Sequence, residues 1–161
     1  MISLNGFNME ITIDKLTIND VPAVFDWVMR LLAELGEEGD ELGALAGDKV
    51  LQAWGAMEDR FLVFAAKNQT GNIFGMLTLA ETFAIYANGN YGIINEMYVA
   101  PECRAAGIGA MLIDAVKNCG REKGWARLDV TAPESARWER ARKFYEQQGF
   151  TFAGPKLKFL L

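Results

Sequence analysis

The segment Glu96-Met97-Tyr98-Val99-Ala100-Pro101-Glu102-Cys103-Arg104-Ala105-Ala106-Gly107-Ile108-Gly109-Ala110 closes an apolar run at a proline, then passes through glycines into a helical pattern. Backbone N–H groups at a helix start are unpaired and carry partial positive charge, so they suit a phosphate. Gly107 and Gly109 would let the backbone come close to a bulky anion, and Arg104 would add charge and directional donors. A pyrophosphate fits this description. A Walker loop does not, because Gly-Lys-Ser/Thr is needed where Ala110 and Met111 stand. A dinucleotide fingerprint would need a third glycine in place of Leu112 and a parallel βαβ unit at its start. On the glycines alone, a tight helix start without a ligand is an equal alternative.

The remaining composition restricts the chemistry. There is no histidine, which removes Ser-His and Cys-His catalysis, most zinc hydrolase designs and any histidine base. Proton transfer must use carboxylate, tyrosine, lysine, cysteine or water. Cys103 and Cys119 are too few for a disulfide framework and have no partners for a metal site, so no metal is expected and a reduced compartment fits. Cys119 falls on an apolar helical face and reads as packing; Cys103, beside Arg104, is the thiol with the better case for reactivity. A net charge of −5 argues against nucleic acid as a partner and favours a cationic small molecule or basic peptide. No apolar stretch approaches the roughly 20 residues needed to cross a bilayer. No signal-peptide pattern stands in residues 1–10, so a cytoplasmic, membrane-free location is the expectation.

At 161 residues, 51% of them hydrophobic, the chain has the size and apolar content of one domain, taken as residues 1–161. Residues 10–17 alternate as a half-buried strand, and Val21, Val24, Phe25, Val28, Leu31, Leu32 and Leu35 then recur at helical spacing up to Gly36. Residues 37–47 read as an acidic loop or frayed helix. Residues 48–59 predict a second helix burying Val50, Leu51, Trp54 and Met57. Residues 61–66 and 73–79 read as a hairpin, and a turn at residues 87–90 leads into a strand over residues 93–99. The clearest helix starts at Gly107 and buries Ile108, Met111, Leu112, Ala115, Val116 and Cys119, with Gly120 and Gly124 bracketing its end. A strand at residues 127–131, a helix at 134–148 carrying Trp138, Ala141, Phe144 and Tyr145, and closing strands at 150–152 and 156–160 complete the order. The pattern predicts an α+β fold, a sheet with helices on both faces.

Two blocks carry a resemblance to a known family. Tyr98-Val99-Ala100-Pro101 followed by Arg104-Ala105-Ala106-Gly107-Ile108-Gly109 resembles the Arg/Gln-x-x-Gly-x-Gly/Ala signature of the Gcn5-related N-acetyltransferase (GNAT) family. Ala141-Arg142-Lys143-Phe144-Tyr145-Glu146-Gln147-Gln148-Gly149-Phe150 resembles that family's second block. The resemblance is strong over residues 93–152 and follows the element order of the whole chain. It implies a central mixed, mostly antiparallel twisted sheet and acetyl-CoA as cosubstrate. It further implies that the backbone of Met97, Tyr98 and Val99 pairs with the pantetheine arm, and that Arg104, Ala105, Ala106, Gly107, Ile108, Gly109 and Ala110 hold the pyrophosphate. A backbone N–H near Met97 would then meet the oxyanion of the tetrahedral intermediate.

By the same resemblance Tyr145 is the general acid that returns a proton to the departing thiolate. Its ordinary pKa of about 10 against about 8.5 for a thiol suits that task. Glu96 is the candidate base for the attacking amine, directly or through a water, with surface and substrate-orienting roles open beside it; Tyr98 and Asn95 are weaker candidates for lining the cleft. Where the family often has an asparagine seven residues before the tyrosine, Trp138 stands here. The implied activity is acetyl transfer to a primary amine of a small molecule or peptide in a ternary complex. The alternative is a non-catalytic acyl-CoA-binding or regulatory module; transfer of a longer acyl group, or to a hydroxyl, also stays open. Glu34, Glu37, Glu38, Asp40 and Glu41 would attract a cationic acceptor, or serve only as a solvated acidic loop. The family commonly dimerises, and exposed end strands would suit a homodimer.

Overall fold

Apolar residues at the centre of the chain are too closely spaced for a one-sided strand: Leu62, Val63, Phe64, Ala65 and Ala66 are all buried, so both faces of their strand must be covered. The structure, a computed structural model, describes residues 2–4, 7–36, 47–131 and 139–154. Strands β1 (Ile2–Leu4) and β2 (Phe7–Met9) pair as a small antiparallel sheet. The main sheet has the order β3 (Ile11–Leu16), β4 (Phe61–Asn68), β5 (Ile73–Ala84), β6 (Gly89–Val99) and β7 (Leu128–Val130). Its first four strands run antiparallel, and β7 joins β6 in parallel. This is the expected mixed, mostly antiparallel sheet.

Helices α1 (Val21–Leu35), α2 (Gly47–Gly55), α3 (Ile108–Glu122) and α4 (Glu139–Gln147) accompany it. Neighbouring residues of a strand point to opposite faces, and β6 shows where the helices lie. Tyr98 meets Trp27 of α1 edge-on at 5.8 Å, whereas Val99 shares the space beside Gly75 with Ile108 and Leu112 of α3. Phe144 of α4 reaches the same side, beside Gly109 and Met97. The sheet is therefore sandwiched, α1 on one face and α3 with α4 on the other.

Several sequence expectations are corrected. Helix α2 stops at Gly55, and of the residues expected to bury its face only Trp54 is buried; Leu51 and Met57 are about two-fifths exposed (40% and 42%). Helix α3, by contrast, ends at Glu122 between Gly120 and Gly124 as expected, and Gly120 in its last turn makes room for the Trp125 ring, 3.2 Å from where a Cβ would stand. Strand β5 runs on to Ala84, and residues 150–152 form no strand. The closing strand at 156–160, the first part of the last helix with Trp138, and the acidic residues Glu37, Glu38, Asp40 and Glu41 lie outside the described residues. Among the described residues no helix is long and apolar enough to cross a membrane.

Candidate active site

The register of β6 builds the site. Leu77 pairs with Met97 and Leu79 with Ile94, so Thr78 alone stands opposite both Asn95 and Glu96. This is a β-bulge, which bends the strand and re-aims its side chains. Thr78 fixes it from both sides: its hydroxyl accepts the Glu96 backbone N–H at 3.1 Å and donates to the Glu96 carboxylate. Thr78 is 1% exposed and is the buried polar residue among the described ones. Sequence reasoning missed it, although a lone hydroxyl inside the apolar run of residues 73–79 was a signal.

Just past Ile94 the two parallel strands part, since β7 pairs with Gly92, Ile93 and Ile94 only. Residues 95–99 have no strand on that side among the described residues. Their exposed edge has a definite polarity. Ala100 donates to the Phe74 carbonyl at 3.0 Å, so Ala100/Phe74 and Tyr98/Met76 are the hydrogen-bonded pairs of the antiparallel ladder. Val99 and Met97, on either side of Tyr98, are the alternate positions, and their N–H and C=O groups point away from β5 into the opening. The result is a short strand edge ready to pair with an extended polar chain.

At the end of this edge the chain turns through Pro101 and enters α3. Ala105 and Gly107 both have positive φ, 63° and 90°. Such alternation turns successive N–H groups towards a common concavity. The first helical bond is from Met111 to the Gly107 carbonyl, and the N–H groups of Ala105, Gly107, Ile108, Gly109 and Ala110 find no acceptor among the described residues. These are the donors an anion would satisfy.

Tyr145 of α4 places its hydroxyl over the same strand, 3.7 Å from the Met97 Sδ. Phe144 and Phe150 hold the ring edge-on at 5.3 and 5.6 Å. Burial among these groups pushes the phenol up to about 12, so it is protonated throughout the physiological range. Glu96 lies across the bulge. Burial raises its carboxyl above the usual carboxylate range, the Thr78 hydrogen bond pulling the other way.

Arg104 turns away from the loop it belongs to. Its guanidinium makes a bidentate pair with Glu34 of α1 at 2.9 and 2.6 Å, donates from Nε to the Val99 carbonyl at 3.0 Å and lies over the Tyr98 ring at 5.3 Å. Glu34 is therefore a helix residue in an ion pair. Burial, and then Glu34, raise the Tyr98 phenol. Cys103 is buried, and burial pushes its thiol up, away from nucleophilic use. Asn95 is exposed at the bulge. Among the described residues no cluster of cysteine and carboxylate side chains could hold a metal ion.

Known proteins share this architecture. Residues 58–152 match the family model described as acetyltransferase (GNAT) domain. An uncharacterized N-acetyltransferase of Bacillus subtilis is 28% identical over 94 residues, 58% of this chain; the chain spans 62% of that relative's length. An IAA acetyltransferase of Azospirillum brasilense is 28% identical over 144 residues, 88% of each chain. Among solved structures, an aminoglycoside acetyltransferase from an uncultured soil metagenomic sample superposes with a TM-score of 0.75 at 23% identity, covering 94% of this chain and 95% of its own. A predicted acetyltransferase of Clostridium acetobutylicum, solved with acetyl-CoA, gives 0.77 at 17% identity, with 94% and 96% covered. With its bulged and parted β6, its N–H-lined turn into α3 and a family match over more than half its length, the chain belongs to the GNAT family of acetyltransferases.

Proposed function

We propose that the protein transfers an acetyl group from acetyl-CoA to a primary amine by direct attack in a ternary complex. The observation that carries this reading is the placement of the Tyr145 hydroxyl at Met97, where the open edge of β6 begins and leads to the free N–H groups of the α3 turn. In the proposal the pantetheine arm pairs with the backbone of Met97 and Val99, continuing the sheet in place of the departed β7. The pyrophosphate sits on the N–H groups of residues 105–110, and the Met97 N–H points at the oxyanion. A donor of that kind is worth about 3 kcal/mol in a transition state.

The amine must lose a proton to attack. At a pKa of about 10.4 roughly one part in 2,500 is neutral at pH 7, a handicap of about 4.6 kcal/mol. Glu96, half-buried and bonded to Thr78 at the bulge, is the base that offsets part of this, directly or through a water. Collapse of the tetrahedral intermediate breaks the C–S bond, and Tyr145 protonates the leaving thiolate. A phenol pushed up to about 12 is fully protonated at neutral pH and so present as a donor; because it is a weaker acid than a thiol of about 8.5, its proton passes to sulfur only as the C–S bond breaks and is regained from the protonated base or solvent.

The test is calorimetric titration with acetyl-CoA beside thiol release over a panel of amines including aminoglycosides, polyamines and basic peptides. Binding with release for one amine class supports the proposal and names the acceptor. Binding without release from any points to an acyl-CoA-sensing module, and absence of binding overturns the assignment of the cleft.

A further inference from the structure

The Arg104 side chain is committed at each of its nitrogens, to Val99 through Nε and to both carboxylate oxygens of Glu34 through its terminal nitrogens. Its two anchors are of different kinds. Val99 is the last residue of β6, two strand-edge positions from Met97, so Nε takes up the carbonyl at the far end of the open edge. Glu34 lies in the last turn of α1, where the helix dipole is negative and a carboxylate is unfavourable. That turn contains no basic residue of its own, so Arg104 supplies the missing positive charge from another element. The end of α1 is itself fixed, with Gly36 at φ 76° closing onto the Leu32 and Ala33 carbonyls. Both partners are about 30% exposed, which limits solvent screening of the pair.

We propose that Arg104 is a positioning residue that fastens the anion-binding turn to the C-terminal end of α1, and that its guanidinium is not itself a phosphate ligand. The turn's shape, and with it the aim of the N–H groups of residues 105–110, is then set from a helix on the opposite face of the sheet. This rests on the reading of those N–H groups as the acetyl-CoA cradle. Turning the guanidinium towards a phosphate would break its bonds to β6 and α1 together.

The two roles predict opposite outcomes for Glu34→Gln, a residue outside the turn. Acetyl-CoA affinity is measured calorimetrically for the wild type, Glu34→Gln, Arg104→Lys and the double variant, with thermal melts of each. For a tie, each single substitution weakens binding about 5-fold or more, and the double variant is no weaker than the worse single, because both remove one interaction. For a phosphate ligand, Glu34→Gln binds as well as wild type or better, and Arg104→Lys stays close to wild type because lysine also holds phosphate as a point charge; this result overturns the proposal. Amide spectra of the ligand-free proteins give the second readout: resonances of Ala105, Ala106, Gly107 and Gly109 move in Glu34→Gln if the tie sets the turn, and unmoved resonances overturn it. Failure of the wild type to bind acetyl-CoA removes the cradle and this inference with it, whereas wild-type binding insensitive to Glu34 removes the inference alone.

Discussion

At the scale of single residues, Tyr145 and Glu96 are two ionisable groups that burial shifts in the same direction with opposite consequences. Raising a phenol keeps it protonated at neutral pH while making it a weaker acid, whereas raising a carboxyl makes it a stronger base once ionised. Tyr145→Phe keeps the ring between Phe144 and Phe150 and removes only a weak bond to sulfur. Turnover should fall about 100-fold with acetyl-CoA affinity within about 2-fold, measured by thiol release and calorimetry. Glu96 makes a prediction about stability as well. Its folded-state pKa is raised, so its contribution to folding is fully present below the ordinary carboxylate value and is lost as pH rises through the raised one. Glu96→Gln should therefore melt higher than wild type at about pH 8 and show no such gain at about pH 4, while losing the acid limb of the kcat/KM profile. Thr78→Val would strand the bulge N–H and remove a donor from the carboxylate, a loss of about 2 kcal/mol in chemical denaturation that Thr78→Ser should largely restore.

At the scale of elements, three glycines in or near the site do different work, and their substitutions separate it. Gly107 has φ 90° with open space around its missing Cβ, so Gly107→Ala costs about 1 kcal/mol through backbone strain alone. Gly109 is helical, and an added Cβ would meet the ends of the Phe144 and Met97 side chains at 3.1 and 3.2 Å. Alanine also favours a helix, so Gly109→Ala should leave stability within about 1 kcal/mol of wild type. The displaced Phe144 and Met97 both touch Tyr145, so kcat should drop where stability does not. Gly92 sits where β6 and β7 still pair, and a Cβ there would fall 2.5 Å from the Trp125 ring and 2.6 Å from Leu128. Gly92→Ala should cost about 1–3 kcal/mol and displace β7, the strand whose departure defines the cleft. Urea denaturation beside turnover measurements distinguishes the three.

At the scale of the whole molecule, acetyl-CoA bridging strand edge, turn and α4 should stabilise the fold as one unit. At 100 times its dissociation constant it should add about 2.7 kcal/mol, read as a rise of several degrees in Tm that a non-binding protein would not show. The family blocks, the helices at residues 21–35 and from 108, and the antiparallel meander were legible in the sequence, because a 3.6-residue period, alternation and turn residues such as Asn88-Gly89 are local properties of the chain. The glycine-containing turn into α3 was legible for the same reason: its backbone N–H groups depend on glycines at a helix start and little else. Tertiary structure alone decided the rest. The bulge at Asn95 and Glu96 is a register difference between two strands, and no single strand encodes it. The direction of Arg104 depends on Glu34, 70 positions away, whose charge at the end of α1 draws the guanidinium off the loop that its sequence motif suggested. Thr78 reads as an ordinary residue of an apolar strand until pairing brings it opposite Glu96. Periodicity and local motifs are written into neighbours along the chain, whereas the pairing of charges and the burial of an acid are fixed only when distant segments share a volume.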